Sequence, residues 1–313
     1  MNAPDLSVIV PVFNEEAVVP EFARVLVETL TPTGLTFETI FVNDGSSDGT
    51  AQRLESLRRG DARMKVIEFS RNFGHQSAMT AGLRAAKGRA CVIMDADLQD
   101  PPALLVTMVE KWREGYDVVY AVRRSREGNG LQKVTAALFY RTLRALAGVD
   151  IPPDTGDFRL MARRVVDVLN AFPERNRFLR GLVSWIGFRQ IGVSFDRPPR
   201  AAGETKFSMW KMVRFALDGL TAFSRVPLRL VTMAGVMAFL ASGGVLAWAL
   251  WVRLFTDRSV QGWTSLIAII LLLGGAQLLA LGVIGEYIAH IFDEAKDRPT
   301  YIIRRFWGNE KDS

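Results

Sequence analysis

The sequence predicts an α/β domain with a mostly parallel sheet, followed by an amphipathic helix and a hairpin of two membrane-spanning helices. Two observations predict this fold class. Apolar, β-branched runs alternate with helical patterns through the first two thirds of the 313-residue chain. Two long stretches without a charged residue then follow between residues 229 and 290. The hydrophobic fraction of 49% is at the top of the soluble range, and these stretches account for the excess.

Five short apolar runs are the predicted strands of the α/β domain, which we place at residues 1–208. They lie at residues 7–12, 36–42, 64–69, 90–94 and 118–121. Helical patterns lie between them, near residues 15–30, 49–59, 75–87 and 102–113. Alternating units of this kind build a parallel sheet, and ligands bind such sheets at the carboxyl ends of the strands. The polar residues that follow each strand are therefore the candidate binding residues.

The polar clusters after the strands contain neither a GxGxxG nor a Walker A pattern. The sequence therefore gives no support to a dinucleotide dehydrogenase or a P-loop NTPase. The second strand is followed by NDGSSDGT at residues 43–50, where glycines permit tight turns and Ser47 or Asp48 can cap the next helix. This arrangement is typical of a nucleotide-binding loop at a strand end.

The segment Asp95-Ala96-Asp97 directly follows the fourth predicted strand. Residues two apart in extended backbone point to the same side, so both carboxylates can face one hard cation. Mg²⁺ is commonly held by one or two carboxylates together with substrate phosphates. A nucleoside diphosphate leaving group needs that neutralisation as its charge develops. An isolated Asp-x-Asp is more often a solvated turn, but its position after a buried type of strand favours a metal site.

Residues 230–252 and 263–286 are the two predicted membrane spans. The first carries no charged residue, and the second ends at Glu286 after a charge-free run from Ser259 to Gly285; each run exceeds the ~20 apolar residues that cross the hydrocarbon core. The short connection makes them a hairpin, and basic residues on both flanks place the α/β domain and the tail, residues 291–313, in the cytoplasm. A pair of buried core helices is the alternative. Small residues in the second span permit close packing, either within the hairpin or between copies in a dimer or tetramer.

The pattern of residues 209–228 predicts an amphipathic helix before the first span. Its polar residues recur at steps of three and four, which places them on one helical face. They are Lys211, Arg214, Asp218 and Thr221. The neighbouring span favours a helix that lies in the membrane interface, and packing on the α/β domain is the alternative.

Charge and cysteine content narrow the choice of partner and compartment. A net charge of +6 and an isoelectric point near 9.7 suit an anionic membrane, phosphate-bearing substrates or nucleic acid. A nucleic-acid-binding role leaves the acidic segment at residues 95–100 unexplained, so we expect no nucleic-acid partner. The N-terminus lacks the basic and apolar regions of a signal peptide, and the lone cysteine, Cys91, excludes an internal disulfide.

Seven motifs carry a resemblance to a known family. They are VIVPVFNEE, FVNDGSSDGT, SRNFGHQSAMTAGL, DADLQDPP, TGDFRLM, NRFLRGLVSWIGF and GETKFS. On these motifs the chain resembles the family 2 glycosyltransferases, which have the GT-A fold. Within that family it resembles the polyprenyl-phosphate sugar transferases, namely the bacterial bactoprenol glucosyltransferases and the dolichyl-phosphate mannose synthases. The resemblance covers nearly the whole chain, and the paired C-terminal spans match its bacterial branch.

The resemblance implies a donor site and a metal site at the strand ends. It places Phe13 against the nucleotide base, Glu15 near the ribose, and Asp44 where it accepts a hydrogen bond from the base. Core packing of Phe13 and a turn-forming role for Asp44 are the alternatives. The implied nucleotide-sugar residues are Pro11, Phe13, Asn14, Glu15, Asp44, Arg71, Asp95 and Ala96. The implied ligands of Mg²⁺ or Mn²⁺ are Asp95, Asp97 and Gln99.

The resemblance also implies catalytic and acceptor residues. Asp157 lies where related inverting transferases carry a general base, and Asp97 and Arg159 complete the implied catalytic set. Because a phosphate monoester is largely dianionic near neutral pH, Asp157 can instead orient Arg159 or bind sugar hydroxyls. The implied cations for the acceptor or leaving-group phosphates are Arg123, Arg126, Lys133, Arg200 and Lys206. Attraction to an anionic membrane surface is the alternative for these basic residues.

The implied reaction is a single displacement with inversion that moves a hexose, with UDP-glucose as the expected donor, onto undecaprenyl or another polyprenyl phosphate. A mannose synthase that uses GDP-mannose and a non-catalytic basic membrane-associated binding protein are the alternatives. A processive polysaccharide synthase is disfavoured because two spans are too few for a translocation channel. The implied location is the bacterial inner membrane, as a multi-pass protein. The product then needs a separate flippase and a periplasmic transferase for modification of a cell-envelope glycan.

Overall fold

The computed structural model describes residues 3–124, 155–174, 177–196, 226–255 and 262–308. These residues divide into two compact units. An α/β unit contains residues 3–124, 155–174, 177–196 and 299–308, and a helical unit contains residues 226–255 and 262–298. The α/β unit therefore gathers chain segments from both ends of the sequence.

One sheet organises the α/β unit, and the described residues contribute eight strands to it. In chain order these are β1 (Leu6–Val12), β2 (Phe37–Asn43), β3 (Met64–Phe69), β4 (Ala90–Ile93), β5 (Val118–Arg123), β6 (Thr155–Ala162), β7 (Gln190–Phe195) and β8 (Ile303–Trp307). Their order across the sheet is β7-β5-β6-β4-β1-β2-β3-β8. β6 and β8 run antiparallel to their neighbours, and the other strands share one direction. The carboxyl ends of the parallel strands therefore meet at one edge of the sheet.

The helices of the α/β unit flank this sheet. They are α1 (Val19–Leu30), α2 (Thr50–Gly60), α3 (His75–Ala85), α4 (Leu104–Arg113), α5 (Arg163–Ala171) and α6 (Leu179–Trp185). The five predicted strands and four predicted helices are all present, with ends within a few residues of the predicted ones. These predictions succeed because each element carries its own period. In α1, for example, Phe22, Leu26 and Leu30 are fully buried along one helical face.

The core lies on both faces of the central strands. Every residue of β1 is buried, as expected for a parallel strand that is covered on both sides. Val8 and Val10 belong to the main hydrophobic cluster, whereas Ile9 meets α3. A Cβ built on Gly82 of α3 would lie 2.2 Å from Ile9 Cγ2, so only glycine permits this close approach of helix and strand. The contact fixes the position of α3, which begins at His75.

Three strands, β6, β7 and β8, were not predicted from the sequence. β6 contains Gly156, Asp157 and Arg159, and glycine and aspartate are depleted in strands. It lies between β4 and β5, antiparallel to both, in the interior of the sheet. A hydrophobic pattern misses it because these polar residues interrupt its apolar ones. In the structure Asp157 pairs with Arg180 of another element, and Arg159 donates to the Gly156 carbonyl within the strand.

Two long helices form the helical unit, α7 (Val226–Phe255) and α8 (Trp263–Ala295), and they contact each other. The predicted spans, residues 230–252 and 263–286, fall inside them. Among the described residues, Leu272–Ala295 is long and apolar enough to cross a membrane, and Val231–Val245 is a shorter apolar stretch. The first predicted span, residues 230–252, and with it the two-helix hairpin therefore stay predictions. Residues 209–225 of the predicted interfacial helix lie outside the described residues.

The tail predicted at residues 291–313 contains a strand. α8 continues to Ala295, and β8 then pairs antiparallel with β3 at the edge of the sheet. Within this tail the guanidinium of Arg304 lies 3.4 Å from the Glu68 carboxylate. The basic composition of the tail suggested only a charged segment, whereas Ile303–Trp307 forms the edge strand that pairs with β3.

Candidate active site

A cleft of about 370 Å³ lies at the carboxyl ends of β1, β2 and β4. The loops after these strands line it, together with the loop after β3 and the start of α3. Six of the eight predicted nucleotide-sugar residues line this cleft, and so does Asp97. The six are Pro11, Phe13, Glu15, Asp44, Asp95 and Ala96. The cleft therefore lies at the strand ends, where the sequence predicts the binding residues, and their binding roles stay predictions.

The loop after β1 is braced by the loop after β2. Asn14 has a left-handed backbone, with φ of 56°. Its Oδ1 accepts a hydrogen bond from the Ser47 backbone N–H at 2.9 Å, and its own N–H donates to Ser46 Oγ at 3.0 Å. Asn14 therefore ties the two loops together and is not among the cleft-lining residues. The neighbouring Phe13 has 42% of its surface exposed, so it is an available aromatic face and not a core residue.

Asp44 organises the loop after β3. Its two carboxylate oxygens accept hydrogen bonds from the backbone N–H groups of Phe73 at 2.7 Å and Gly74 at 2.9 Å. Burial raises the pKa of Asp44, and these hydrogen bonds oppose the shift. Two such bonds do not exhaust the acceptor capacity of a carboxylate. Asp44 thus serves the turn-forming role and still lines the cleft.

The loops after β2 and β3 touch at Gly45. This residue has φ of 69°, in the left-handed region that favours glycine. A Cβ built there would lie 2.4 Å from the backbone carbonyl carbon of Arg71. The loops after β2 and β3 therefore pack backbone against backbone where they form the wall of the cleft.

The segment after β4 brings Asp95 and Asp97 to the cleft. Leu98 follows with φ of 58°, a conformation that costs a non-glycine residue roughly 1–2 kcal/mol. The Gln99 backbone N–H donates to Asp97 Oδ1 at 3.1 Å, so the turn holds that carboxylate in place. Gln99 itself is buried and is not among the lining residues.

His75, which was not predicted as a site residue, contacts two of the predicted carboxylates. Its Nε2 lies 3.6 Å from Asp95 Oδ1 and 3.6 Å from Asp157 Oδ2. Burial alone would lower the pKa of His75, but the nearby carboxylates of Asp157 and Asp95 outweigh it, so the pKa is raised. Burial raises the pKa of Asp95, and the charges of Asp157 and Asp97 add to that shift. The imidazole is therefore placed to balance a concentration of negative charge.

Asp157 lies on β6 and forms a bidentate ion pair with Arg180 of α6. Arg180 Nε donates to Asp157 Oδ1 and Nη2 to Oδ2, each at 2.7 Å. Burial alone would raise the pKa of Asp157, but the guanidinium outweighs it and holds the pKa well below the ordinary value. Arg159 is also buried, and its Nη2 donates to the Gly156 carbonyl at 2.9 Å. Burial lowers the pKa of Arg159 to about 10.

His75 and Arg180 are the site residues that sequence reasoning missed. Both lie inside the motifs SRNFGHQSAMTAGL and NRFLRGLVSWIGF, which carried the resemblance. Arg180 is a single cation on a short helix whose residues Leu179, Leu182 and Val183 are buried. A cation inside an apolar run indicates a buried partner, and that signal was present in the sequence.

The two predicted phosphate-binding cations that the structure describes, Arg71 and Arg123, are not among the cleft-lining residues. Arg71 donates from Nη1 to the Asn72 carbonyl at 3.0 Å, and its guanidinium lies 4.1 Å from the centroid of the Phe73 ring. Arg123 ends β5, and a Cβ built on Gly156 would lie 3.1 Å from its Nη2. The remaining predicted cations lie outside the described residues; they are Arg126, Lys133, Arg200 and Lys206.

Within the described part of the chain, no group of three or more His, Cys, Asp or Glu side chains is arranged to hold a metal ion. The predicted ligands Asp95 and Asp97 line the cleft as a pair. Two carboxylates without a third protein ligand match the way Mg²⁺ is commonly bound, since substrate phosphates and water supply its other ligands.

Residues 7–169 match the model of the protein family described as Glycosyl transferase family 2. The Bacillus subtilis (strain 168) glycosyltransferase YkcC is 51% identical over 97% of this chain and 94% of its own length. The bactoprenol glucosyl transferase of Shigella phage SfV is 41% identical over 98% of this chain and 99% of its own. Glucosyl-3-phosphoglycerate synthase from Mycobacterium tuberculosis is a structural neighbour, with a TM-score of 0.50, 19% identity, and coverage of 71% of this chain and 80% of that chain. That likeness concerns the fold alone.

These comparisons agree with the resemblance that the sequence motifs carry. The matched region spans β1 to β4, which carry the donor-side loops, and extends through β6, which carries Asp157. The resemblance inferred from the motifs is therefore confirmed, and the mostly parallel sheet has the GT-A-like fold. The chain belongs to glycosyl transferase family 2.

Proposed function

We propose that this glycosyltransferase moves a hexose from a nucleotide-sugar onto a polyprenyl phosphate, with inversion at the anomeric carbon. The expected donor is UDP-glucose and the expected acceptor is undecaprenyl phosphate. Support for the lipid acceptor comes from relatives named bactoprenol glucosyl transferase, which align over nearly their full length. The observation that carries the chemistry is the cluster in which His75 lies 3.6 Å from both Asp95 and Asp157, beside a cleft of nucleotide dimensions.

The donor side of the cleft is suited to a nucleotide base and its ribose. Phe13 offers an exposed aromatic face on which a planar base can stack. Asp44 offers a buried carboxylate that can accept from a base N–H, and uracil and guanine both carry such a donor. Glu15 and Pro11 line the same region, and Glu15 is assigned to the ribose hydroxyls.

Asp95 and Asp97 are the residues that would hold Mg²⁺ or Mn²⁺. Burial and the like charges of Asp97 and Asp157 raise the pKa of Asp95, so a cation at this position relieves an existing repulsion. The ion would neutralise the charge that develops on the departing diphosphate. Gln99 contributes through the turn, because its backbone N–H holds the Asp97 carboxylate.

We assign Asp157 to positioning and not to proton removal. Arg180 holds the pKa of Asp157 well below its ordinary value, although burial opposes this, and a carboxylate with so low a pKa is a weak base. The acceptor phosphate needs no base because it is largely dianionic near neutral pH. Asp157 therefore orients Arg180 and His75, while Arg159 keeps the start of β6 in place through the Gly156 carbonyl.

The reaction follows as one displacement. An oxygen of the acceptor phosphate attacks the anomeric carbon, and a new C–O bond forms at that carbon. The bond between the anomeric carbon and the diphosphate oxygen breaks, and its electron pair leaves with the nucleoside diphosphate. Arg123 is the described cation assigned to the acceptor or leaving-group phosphates, and Arg126, Lys133, Arg200 and Lys206 keep that assignment as predictions.

The chain path supports a membrane hairpin. β7 ends at Phe195 and β8 begins at Ile303, and both strands belong to one sheet. Two strands of one sheet lie on the same side of the bilayer. If α8 crosses the bilayer, the chain must therefore cross it an even number of times between β7 and β8. α7 has 30 residues, which at 1.5 Å per residue span about 45 Å and exceed the roughly 30 Å hydrocarbon core. Exposed large apolar residues occur along both helices, including Trp248, Trp251, Leu272 and Leu279.

We also infer the cellular location of the protein. The α/β unit and the tail lie in the cytoplasm, residues 209–228 lie in the membrane interface, and the protein is a multi-pass protein of the bacterial inner membrane. Close helix packing in the second span allows a dimer or tetramer. A separate flippase and a periplasmic transferase consume the lipid-linked hexose in modification of a cell-envelope glycan.

The test is transfer by the purified full-length chain in detergent, with undecaprenyl phosphate, Mg²⁺ or Mn²⁺ and a panel of UDP- and GDP-sugars. Glycolipid is read by mass spectrometry. We expect a hexosyl-phosphate lipid from UDP-glucose that is lost with EDTA and in Asp97→Ala. Asp61→Ala is the matched control, since Asp61 pairs with Arg63 on the surface and does not line the cleft.

Other outcomes of this assay are equally informative. Product from GDP-mannose alone would replace the glucosyl assignment with a mannosyl one. Full activity in EDTA would exclude a metal-assisted reaction. No product from any donor, in a preparation that still binds nucleotides, would contradict the polyprenyl phosphate acceptor.

A further inference from the structure

The tail that follows α8 reaches the loop that forms one wall of the cleft. β8 pairs with β3, and the Ser70 backbone N–H donates to the Ile302 carbonyl at 3.0 Å, just beyond the end of β3. Tyr301 precedes this pairing and lies beside Phe69, the last residue of β3. The described tail is therefore attached at the point where the sheet ends and the loop at residues 70–74 begins.

Three aromatic rings connect the tail to that loop. The Tyr301 ring stacks on Phe69 with centroids 5.0 Å apart and an interplanar angle of 11°. Phe69 meets Phe73 edge to face, with centroids 5.7 Å apart at 88°. Phe69 is fully buried, so it cannot move away from either neighbour without opening the core.

The far end of this aromatic chain is part of the donor site. The Phe73 backbone N–H donates to Asp44 Oδ1, and the next N–H, of Gly74, donates to Asp44 Oδ2. Asn72 and Gly74 line the cleft on either side of Phe73. The position of the Phe73 ring therefore determines where two cleft-lining residues and the Asp44 carboxylate lie.

Tyr301 also contacts α3 through Arg84. The Arg84 guanidinium lies 5.9 Å from the Tyr301 ring centroid, and its Nη1 is 3.5 Å from the tyrosine hydroxyl. Helix α3 begins at His75, whose imidazole lies 3.6 Å from both the Asp95 and the Asp157 carboxylates. Tyr301 thus touches both the strand before the cleft loop and the helix after it.

We propose that Tyr301 is a positioning residue for the donor cleft, acting through Phe69 and Phe73 to hold the loop at residues 70–74 against Asp44. The C-terminal strand is then a working part of the nucleotide site and not only an edge of the sheet. The proposal rests on the proposed function in one respect, namely that the cleft holds the nucleotide-sugar.

The first test is hydrogen–deuterium exchange on the full-length chain in detergent, comparing Tyr301→Ala, Tyr301→Phe and Trp307→Ala. Trp307 is the matched control, because it is an aromatic residue of the same strand that lies beside Val66 and packs on the core away from the cleft. In Tyr301→Ala we expect the amides of Phe73 and Gly74 to exchange about three- to tenfold faster, the effect of losing one aromatic pair. Tyr301→Phe keeps the stacked ring and should restore the wild-type rate.

The second readout is donor kinetics on the same three variants. Tyr301→Ala should raise the KM for the nucleotide-sugar about three- to tenfold with kcat changed less than about twofold, because the reacting groups are untouched. Trp307→Ala should lower thermal stability and leave the donor KM and the two amide rates unchanged. Nucleotide binding by calorimetry gives the same comparison without turnover.

Two results would overturn the proposal. Wild-type exchange at Phe73 and Gly74 in Tyr301→Ala would show that the tail does not hold the loop. Equal effects in Tyr301→Ala and Trp307→Ala on those amides would show a general loss of stability. The exchange measurement needs no substrate, so a failure of the proposed glycosyl transfer leaves this test intact and separately readable.

Discussion

The two sides of the cleft are held together in different ways. On the donor side, the loops after β1, β2 and β3 are joined by hydrogen bonds from backbone N–H groups to the Asn14 and Asp44 side chains, and by the backbone contact at Gly45. On the catalytic side, Asp157 is held by the Arg180 and His75 side chains, which come from other elements. The donor side should therefore be sensitive to changes of backbone conformation, and the catalytic side to changes of charge.

The largest expected effect comes from Asp97→Ala, which removes a carboxylate at the boundary between the two sides. A metal ion that neutralises the leaving group stabilises the transition state by several kcal/mol. Without the Asp97 carboxylate kcat should therefore fall by about 10³-fold or more. Thermal stability should change little, because Asp97 belongs to a loop. Steady-state glycolipid formation and differential scanning calorimetry measure the two quantities. Retention of a tenth of the wild-type kcat would remove Asp97 from the metal site.

Breaking the ion pair on the catalytic side should reduce both stability and activity. Arg180→Ala leaves the Asp157 carboxylate, 10% exposed, without its guanidinium partner. A fully buried pair loses about 3–5 kcal/mol in this way, and we expect roughly 2–3 kcal/mol because 26% of the Arg180 side chain is exposed. Urea unfolding measures this loss. The double variant Asp157→Asn/Arg180→Gln should recover much of the stability but not the activity, and recovery of both would contradict a catalytic-side role for the pair.

A backbone change on the donor side should act mainly on nucleotide affinity. Gly45→Ala adds a Cβ at φ of 69° against the Arg71 backbone, 2.4 Å away. Gly34→Ala is the matched control, since Gly34 has φ of 70° and nothing within 4 Å of its added Cβ. Both pay ~1–2 kcal/mol for the left-handed backbone, and only Gly45→Ala must also displace a neighbouring loop. We expect weaker UDP binding by calorimetry in Gly45→Ala alone; equal binding in both variants would mean that the loop contact does not shape the cleft.

The smallest expected effect lies away from both sides, in the buried pair of Glu38 and Lys65. Burial alone would raise the pKa of Glu38, but the Lys65 ammonium at 2.5 Å and the Ser7 hydroxyl outweigh it and lower the pKa. A lowered carboxyl pKa contributes stability above the unfolded value of 4.5, and that stability is lost as the pH falls through the folded pKa.

Urea unfolding between pH 7 and pH 3 tests this sign. The wild type should lose more unfolding free energy on acidification below pH 4.5 than Glu38→Gln, which carries no titrating group at that position. Cleft properties should be unaffected by the substitution, since Glu38 lies within β2 and does not line the cleft. Parallel pH profiles for the two proteins would mean that Glu38 does not titrate in this range.

The site was predicted unevenly, and the reason differs by residue. Phe13, Asp44, Asp95 and Asp97 were located because each follows an apolar strand, and parallel strand ends meet at one edge. Asn14 was predicted to bind the nucleotide-sugar and Gln99 the metal. In the structure Asn14 braces the neighbouring loop at Ser47, and the Gln99 backbone N–H holds the Asp97 carboxylate two residues away. The membership of Arg71 in the donor site stays a prediction, because its guanidinium lies over Phe73 and outside the cleft lining.

By itself, the sequence determined the elements that carry their own period, namely β1 to β5 and α1 to α4, together with the family and the apolar character of α7 and α8. These features depend on local spacing, which one segment expresses without the rest of the chain. The three-dimensional arrangement makes a polar segment the interior strand β6 and a basic segment of the tail the edge strand β8. It also brings His75, Asp157 and Arg180 together. Those outcomes depend on partners far away in the sequence, because a buried charge or an edge strand is stable only where another element satisfies it.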